Sequence, residues 1–162
     1  MENQNRLRNN SWLVIVPVLL VTALAASAAQ FETSIPMNRK GTATYYIHGS
    51  ITGFGAVEFM VDTGAGYTTI NEDTLLALQG AGQAEFVTKL TGMMADGSRR
   101  IISIYRVAKL TLGDDCVLRN VEAAVFPQRT RLILGLSALE KTAPFIFSTN
   151  PPVLELSNCV NT

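Results

Sequence analysis

Histidine and an excess of either charge are what this sequence most lacks. Its 162 residues include one histidine, His48, and the 13 basic residues are matched by 13 acidic ones. A Ser–His–Asp triad or a histidine-based metal site would depend on His48 alone, so we expect neither. No stretch concentrates Lys or Arg, which argues against nucleic acid as a partner.

Cysteine is also scarce, with only Cys116 and Cys159 in the chain. In an exported protein these two residues are able to form a disulfide, which would close a loop of about forty residues and contribute about 4 kcal/mol. Two buried free thiols agree equally well with the sequence. A catalytic cysteine is not expected at either position.

The first 29 residues have the pattern of a targeting segment. Arg6 and Arg8 precede an apolar run over residues 12–24, and small residues at Ala26, Ser27 and Ala28 suit a cleavage site. The same run, extended to Ala29, is near the lower length limit of a membrane-spanning helix. A cleaved signal peptide and an uncleaved anchor both remain open, and a buried core helix is less favoured. Either of the first two places the folded part outside the inner membrane, in the periplasm.

The remaining chain predicts one mostly β domain. Residues 30–43 are mixed and polar, and they predict a linker before a domain over residues 44–162. Short apolar, β-branched runs separated by Gly, Asp and Asn predict eight or more strands in an all-β barrel or sandwich. Asn71 as a cap and Gly80 as a stop predict a helix over residues 71–80, and residues 135–141 predict one or two further helical turns.

The most informative segment is Asp62-Thr63-Gly64-Ala65, which directly follows a run of large apolar residues. A carboxylate at the end of a buried strand is unfavourable unless hydrogen bonds satisfy it. Gly64 lets a backbone N–H approach that carboxylate, and Thr63 supplies a hydroxyl that can lock a loop. These residue types suit a rigidly presented carboxylate in a cleft. The tripeptide alone is also compatible with an ordinary turn after a strand.

Together with two later segments, this motif resembles the retropepsin-like aspartic peptidases, in particular their short bacterial exported or membrane-anchored members. The later segments are Ala95-Asp96-Gly97 and, after Leu132, Ile133-Leu134-Gly135, in the family's order. The resemblance implies a closed retropepsin-like β-barrel with one or two short helices, forming a single lobe.

The resemblance also implies a role for each segment. Asp62 is expected to be the catalytic aspartate, and Thr63, Gly64 and Ala65 are expected to support its loop, with Thr63 interlocking with the partner subunit. Met94, Ala95, Asp96 and Gly97 are expected at the tip of a flap over the substrate. Ile133, Leu134 and Gly135 are expected to pack behind the loop that carries Asp62. Gly66 departs from the pattern, because these enzymes often carry Ser or Asp there.

A single Asp-Thr-Gly sequence implies that two chains act together. The family's chemistry uses two carboxylates about 3 Å apart that share one proton. We therefore expect a homodimer that supplies Asp62 twice and hydrolyses peptide bonds in a peptide or protein substrate. No metal or organic cofactor is implied. The alternative is a catalytically inactive barrel of the same fold that binds peptides or a partner protein.

Overall fold

A computed structural model describes residues 31–94 and 96–159. The targeting segment predicted over residues 1–29 lies outside the described residues. Among the described residues, no helix is long and apolar enough to cross a membrane. The strands are β1 (Thr33–Pro36), β2 (Asn38–Lys40), β3 (Thr44–Ile51), β4 (Gly55–Val61), β5 (Thr68–Asn71), β6 (Ala84–Met93), β7 (Arg99–Leu112), β8 (Cys116–Phe126), β9 (Ile133–Leu134), β10 (Phe145–Thr149) and β11 (Pro152–Leu156). The helices are α1 (Glu72–Gly80), α2 (Leu136–Leu139) and a 3₁₀ turn over Glu140–Thr142.

The main sheet closes into a barrel, as the sequence predicted. Its strand order is β2-β3-β4-β9-β5-β8-β7-β6, and β3 pairs with β7 as well as with β4. The strands β3, β4, β9, β5, β8 and β7 therefore form a closed ring. At the closure Gly49 lies opposite Leu112, and a Cβ at Gly49 would lie 2.4 Å from the carbonyl oxygen of Thr111. Glycine is needed where β3 passes this close to β7.

The barrel interior follows from the alternation along its strands. Phe59 and Val61 of β4 are buried, whereas Met60 between them is only partly covered. On β8, Val121 and Ala123 alternate into the same core. Because successive side chains of a strand point to opposite faces, these residues fix which face of each strand lines the core. One contiguous apolar cluster results, and it holds the end of β4 in place.

The helices lie close to the residues predicted for them, 71–80 and 135–141. α1 begins after Asn71, whose side chain accepts a hydrogen bond from the N–H of Thr74 at 2.9 Å. The helical turns predicted over residues 135–141 are present as α2 and the 3₁₀ turn. β7 is one continuous strand over Arg99–Leu112, because its backbone pairs with β8 on both sides of Ala108.

The linker predicted over residues 30–43 was wrong. β1 pairs with β11, and β2 pairs with β3. Ile35 and Met37 are each only 4 % exposed, so this segment belongs to the core. The local pattern of a strand is weak here because Pro36 interrupts a short alternation and because the partner strand of β1 lies more than one hundred residues away. The folded domain therefore begins before residue 44.

A second, smaller sheet combines the two ends of the described chain in the order β1-β11-β10. Next to it, a disulfide joins Cys116, the first residue of β8, to Cys159. Both cysteines are buried. The disulfide covalently links the segment that follows β11 to the start of β8, so the small sheet is attached to the barrel by this bond as well as by the polypeptide chain.

Candidate active site

Asp62 lies where β4 leaves the barrel. Its backbone N–H donates to the carbonyl of Leu134 at 3.1 Å, which extends the pairing of β4 with β9 by one bond. Its carboxylate Oδ1 accepts from the N–H of Gly64 at 2.9 Å, and its carbonyl accepts from the N–H of Ala65 at 3.2 Å. The chain thus folds back on its own carboxylate. One carboxylate oxygen is fixed by the loop, and the side chain is partly open to solvent.

Residues 62–67, which we call the active loop, are supported from behind by β9 and the start of α2. Leu136 and Ser137 donate their backbone N–H groups to the carbonyls of Ala65 at 2.8 Å and Gly66 at 3.1 Å. A Cβ at Gly135 would lie 2.3 Å from the carbonyl oxygen of Tyr67, a distance that real Cβ atoms do not reach. Leu134 and Gly135 therefore contact the active loop directly, whereas Ile133 pairs with Met60 and Thr69 and also lines the cleft between the active loop and the β6–β7 hairpin.

Ser137 is a structural residue of the site that sequence reasoning missed. Its hydroxyl donates to the carbonyl of Glu122 at 2.7 Å and accepts from the N–H of Thr68 at 2.8 Å. These two bonds join α2 to β8 and to the strand that follows the active loop. A serine in the first turn of a short helix is common, so the sequence alone carried no signal for this bridge.

A long hairpin of β6 and β7 carries the predicted flap. At its tip, Met94 donates its N–H to Ser98 at 2.8 Å, and Gly97 donates to Met94 at 2.9 Å. Asp96 accepts from the N–H of Ser98 at 2.9 Å, and Gly97 has a φ of +78°, which favours glycine. Hydrogen bonds from the side chain and then the backbone of Ser98, with a smaller contribution from Arg100, hold the pKa of Asp96 below its ordinary value of 3.8. Ala95 lies outside the described residues.

The hairpin and the active loop enclose a cleft of about 330 Å³. Gly64, Ala65 and Gly66 line one side, and Leu90, Met93 and Met94 line the other. Asp96 and Gly97 shape the tip but do not line this cleft. Further lining residues come from the active loop, from β5, β7, β8 and β9, and from the connection before β9, and of these the sequence analysis singled out only Ile133: Tyr67, Thr69, Ile102, Ala124, Phe126, Thr130 and Ile133. The cleft is mostly apolar and suits a side chain of a bound peptide.

Thr63 and Gly66 are both exposed residues of the active loop. A Cβ at Gly66 would meet no atom within 4 Å. The loop thus tolerates the smaller residue and has room for the Ser or Asp of the resemblance, so the departure at Gly66 leaves the loop geometry intact.

The closed barrel, the loop after β4 and the overlying hairpin define a retropepsin-like aspartic peptidase fold. Residues 47–141 match the family described as "gag-polyprotein putative aspartyl protease". This match covers more than half of the chain, which belongs to that family.

Solved structures agree with this fold. The chain is similar to a retropepsin-like aspartic protease from Rickettsia conorii, with 20 % identity, a TM-score of 0.52, and 76 % of this chain and 88 % of that chain covered. It is also similar to the retroviral protease-like domain of Ddi1 from Leishmania major, with 17 % identity, a TM-score of 0.52, and 72 % and 94 % covered. No curated protein matches the sequence.

Proposed function

We propose that this chain is an aspartic endopeptidase whose active form is a homodimer, with Asp62 of each copy forming the catalytic dyad. The observation that carries the proposal is the active loop, which fixes one oxygen of Asp62 through the Gly64 N–H and lines one side of the cleft with Gly64, Ala65 and Gly66. Membership in an aspartic protease family supports the same activity. The substrate is a peptide or an unfolded protein segment.

The reaction requires a second carboxylate, and the sequence holds only one Asp-Thr-Gly. Two carboxylates about 3 Å apart cannot both ionise, so they share a proton. The ionised member accepts a proton from the attacking water, and the protonated member donates to the scissile carbonyl. The reaction therefore needs one protonated and one ionised carboxylate at the same time.

The open edge of β10 supports pairing with a second copy. Within the described residues β10 has β11 as its one neighbouring strand. The N–H of Met37 donates to the carbonyl of Pro152. The backbone groups of Pro152 and of every second residue after it in β11 therefore point to β1, and those of the residues between them point to β10. Phe147 lies opposite Leu154, and Thr149 lies opposite Pro152, so the backbone groups of Phe147 and Thr149 point away from β11 to the open edge.

The side chains of β10 are also suited to an interface. Ile146 is 42 % exposed and Phe147 is 36 % exposed, although both are large and apolar. The ring of Phe147 packs edge-on against Tyr45 of β3 at 5.4 Å, which links this edge to the strand beside β4. Antiparallel pairing of β10 with its copy across a two-fold axis would join the two three-stranded sheets into one sheet of six strands.

Removal of the Asp62 carboxylate tests the proposal. Purified Asp62→Asn protein should show no cleavage of an unstructured protein at acidic pH, while its dimer and thermal unfolding stay unchanged. Asp114→Asn is the matched control, because Asp114 is an exposed carboxylate in the turn before β8. Undiminished proteolysis by the Asp62 variant would falsify the assignment. Peptide binding without cleavage by the parent protein would instead favour the inactive binding module.

We further propose that the domain is exported and faces the periplasm, either released by cleavage or held by residues 1–29. The disulfide between Cys116 and Cys159 supports this location, because disulfides persist in oxidising compartments. N-terminal sequencing of the mature protein separates the two forms: a new terminus near Gln30 indicates cleavage, and an intact Met1 indicates an anchor. A reduced pair of cysteines in protein isolated with thiols blocked would contradict export.

A further inference from the structure

Arg131 is a cation at the margin of the cleft that the proposed reaction does not use. It lies between Thr130 and Ile133, two residues that line the cleft. Its guanidinium approaches the Tyr46 hydroxyl at 3.5 Å and the Met60 sulfur at 3.6 Å, and it is exposed. Arg131 therefore extends from the cleft wall over the outer surfaces of β3 and β4.

The residues that the Arg131 guanidinium contacts lie on β3 and β4, and β4 ends next to Asp62. Phe59 and Val61 point into the core, so Met60 points to the opposite face of β4, about 7 Å along the strand from Asp62. Met60 lies opposite Tyr46 on β3 and opposite Ile133 on β9. The guanidinium thus lies beside the strand that leads into Asp62. An extended peptide with one side chain in the cleft would pass close to it.

Within the described part of the chain, no carboxylate forms an ion pair with Arg131. The ion pairs of that part join Lys40 to Glu58 and Arg106 to Glu85 and Glu122. Glu58 projects from the same strand as Met60, but it is already engaged by Lys40. Its Nη1 group donates to the Tyr46 hydroxyl and the Met60 sulfur, whereas Nη2 and Nε make no hydrogen bond within the described residues. These remaining N–H donors form a planar fork that matches a carboxylate.

We propose that Arg131 is a specificity-determining residue that selects substrates with an Asp or Glu side chain close to the scissile bond. This inference rests on the proposed peptidase function. In the homodimer Arg131 occurs once on each side of the dyad. The preference should therefore appear at two positions placed symmetrically about the cleaved bond. A carboxylate that binds to this exposed guanidinium is expected to favour cleavage about tenfold over the matching amide.

Mass spectrometry of a random peptide library digested by the dimer measures this preference. The parent protein should enrich Asp and Glu over Asn and Gln by about tenfold at the symmetric positions. Arg131→Gln should bring that ratio close to one, and Arg131→Glu should shift the preference to Lys and Arg. Arg129→Gln is the matched control, because Arg129 is an exposed cation of the same connection. An unchanged ratio in Arg131→Gln would overturn the inference.

A binding experiment separates this inference from the proposed chemistry. The same library is incubated with immobilised Asp62→Asn protein and with the Asp62→Asn/Arg131→Gln protein, and retained peptides are sequenced. Acid enrichment that is lost with Arg131 supports the inference even if the parent protein cleaves nothing, an outcome that would refute only the peptidase activity. Retention without acid enrichment, or no retention at all, overturns the role of Arg131.

Discussion

Replacement of Gly135 by alanine tests the central packing of the site. The added Cβ would lie 2.3 Å from the Tyr67 carbonyl oxygen and 2.8 Å from the Ala65 carbonyl oxygen. Both contacts are with backbone atoms, so no side chain can rotate away. Relief to a contact of about 3.3 Å requires α2 and the active loop to separate by about 1 Å.

The energetic result follows from the bonds that cross this gap. Overpacking of a buried position costs about 1–3 kcal/mol. The separation also stretches the bonds from Leu136 to Ala65 and from Ser137 to Gly66, each worth about 1 kcal/mol. We expect Gly135→Ala to lower the free energy of unfolding by about 3–5 kcal/mol. For a domain of this size that corresponds to a melting temperature about 10–20 °C lower.

Thermal unfolding followed by circular dichroism measures the change. Gly66→Ala is the matched control on the opposite side of the same contact, because its Cβ meets no atom within 4 Å. The control should melt within about 2–3 °C of the parent, or slightly higher, since alanine restricts the unfolded chain. Equal melting temperatures for Gly135→Ala and the parent would refute the argument that loop and helix are in unavoidable contact.

Three further predictions concern other parts of the molecule. Thr149→Pro removes an N–H that points to the open edge of β10, so it should raise the dimer dissociation constant at least about tenfold. Thr149→Ala keeps this N–H and should leave the dissociation constant unchanged. Equal sedimentation of the two variants would contradict the interface. Replacing Cys116 and Cys159 by serine opens a loop with a sequence separation of 43 and should cost about 4 kcal/mol in urea unfolding; a loss below about 1 kcal/mol would disagree. The lowered pKa of Asp96 means that its carboxylate stabilises the flap turn above pH 3.8 and that this stabilisation is lost as pH falls through the lowered value. The Ser98 amide proton should therefore titrate below pH 3.8, and a midpoint at or above 3.8 would contradict the turn.

The local features of this protein were legible in its sequence. Asn71 and Gly80 set the ends of α1, and Asp96-Gly97 set a hairpin turn, because caps and tight turns depend on a few adjacent residues. The order of three short segments also identified the family, and with it the closed barrel. The carboxylate that the motif singled out, Asp62, lies at the end of a buried strand, as expected.

The tertiary structure decided what depends on distant partners. The sequence predicts a linker where β1 lies, because the pairing strand of β1, β11, comes from the other end of the domain. The cleft combines Tyr67 of the active loop with Ile102 of β7 and Phe126 of β8, and Ser137 bridges β5 and β8. No local pattern encodes such contacts, because they arise only when the barrel closes. The sequence by itself determined that Asp62 is the carboxylate of the site and that a tight loop follows it. Long-range strand pairing decided which residues surround Asp62. The reason is that burial and hydrogen bonding between distant segments exist only in the folded chain.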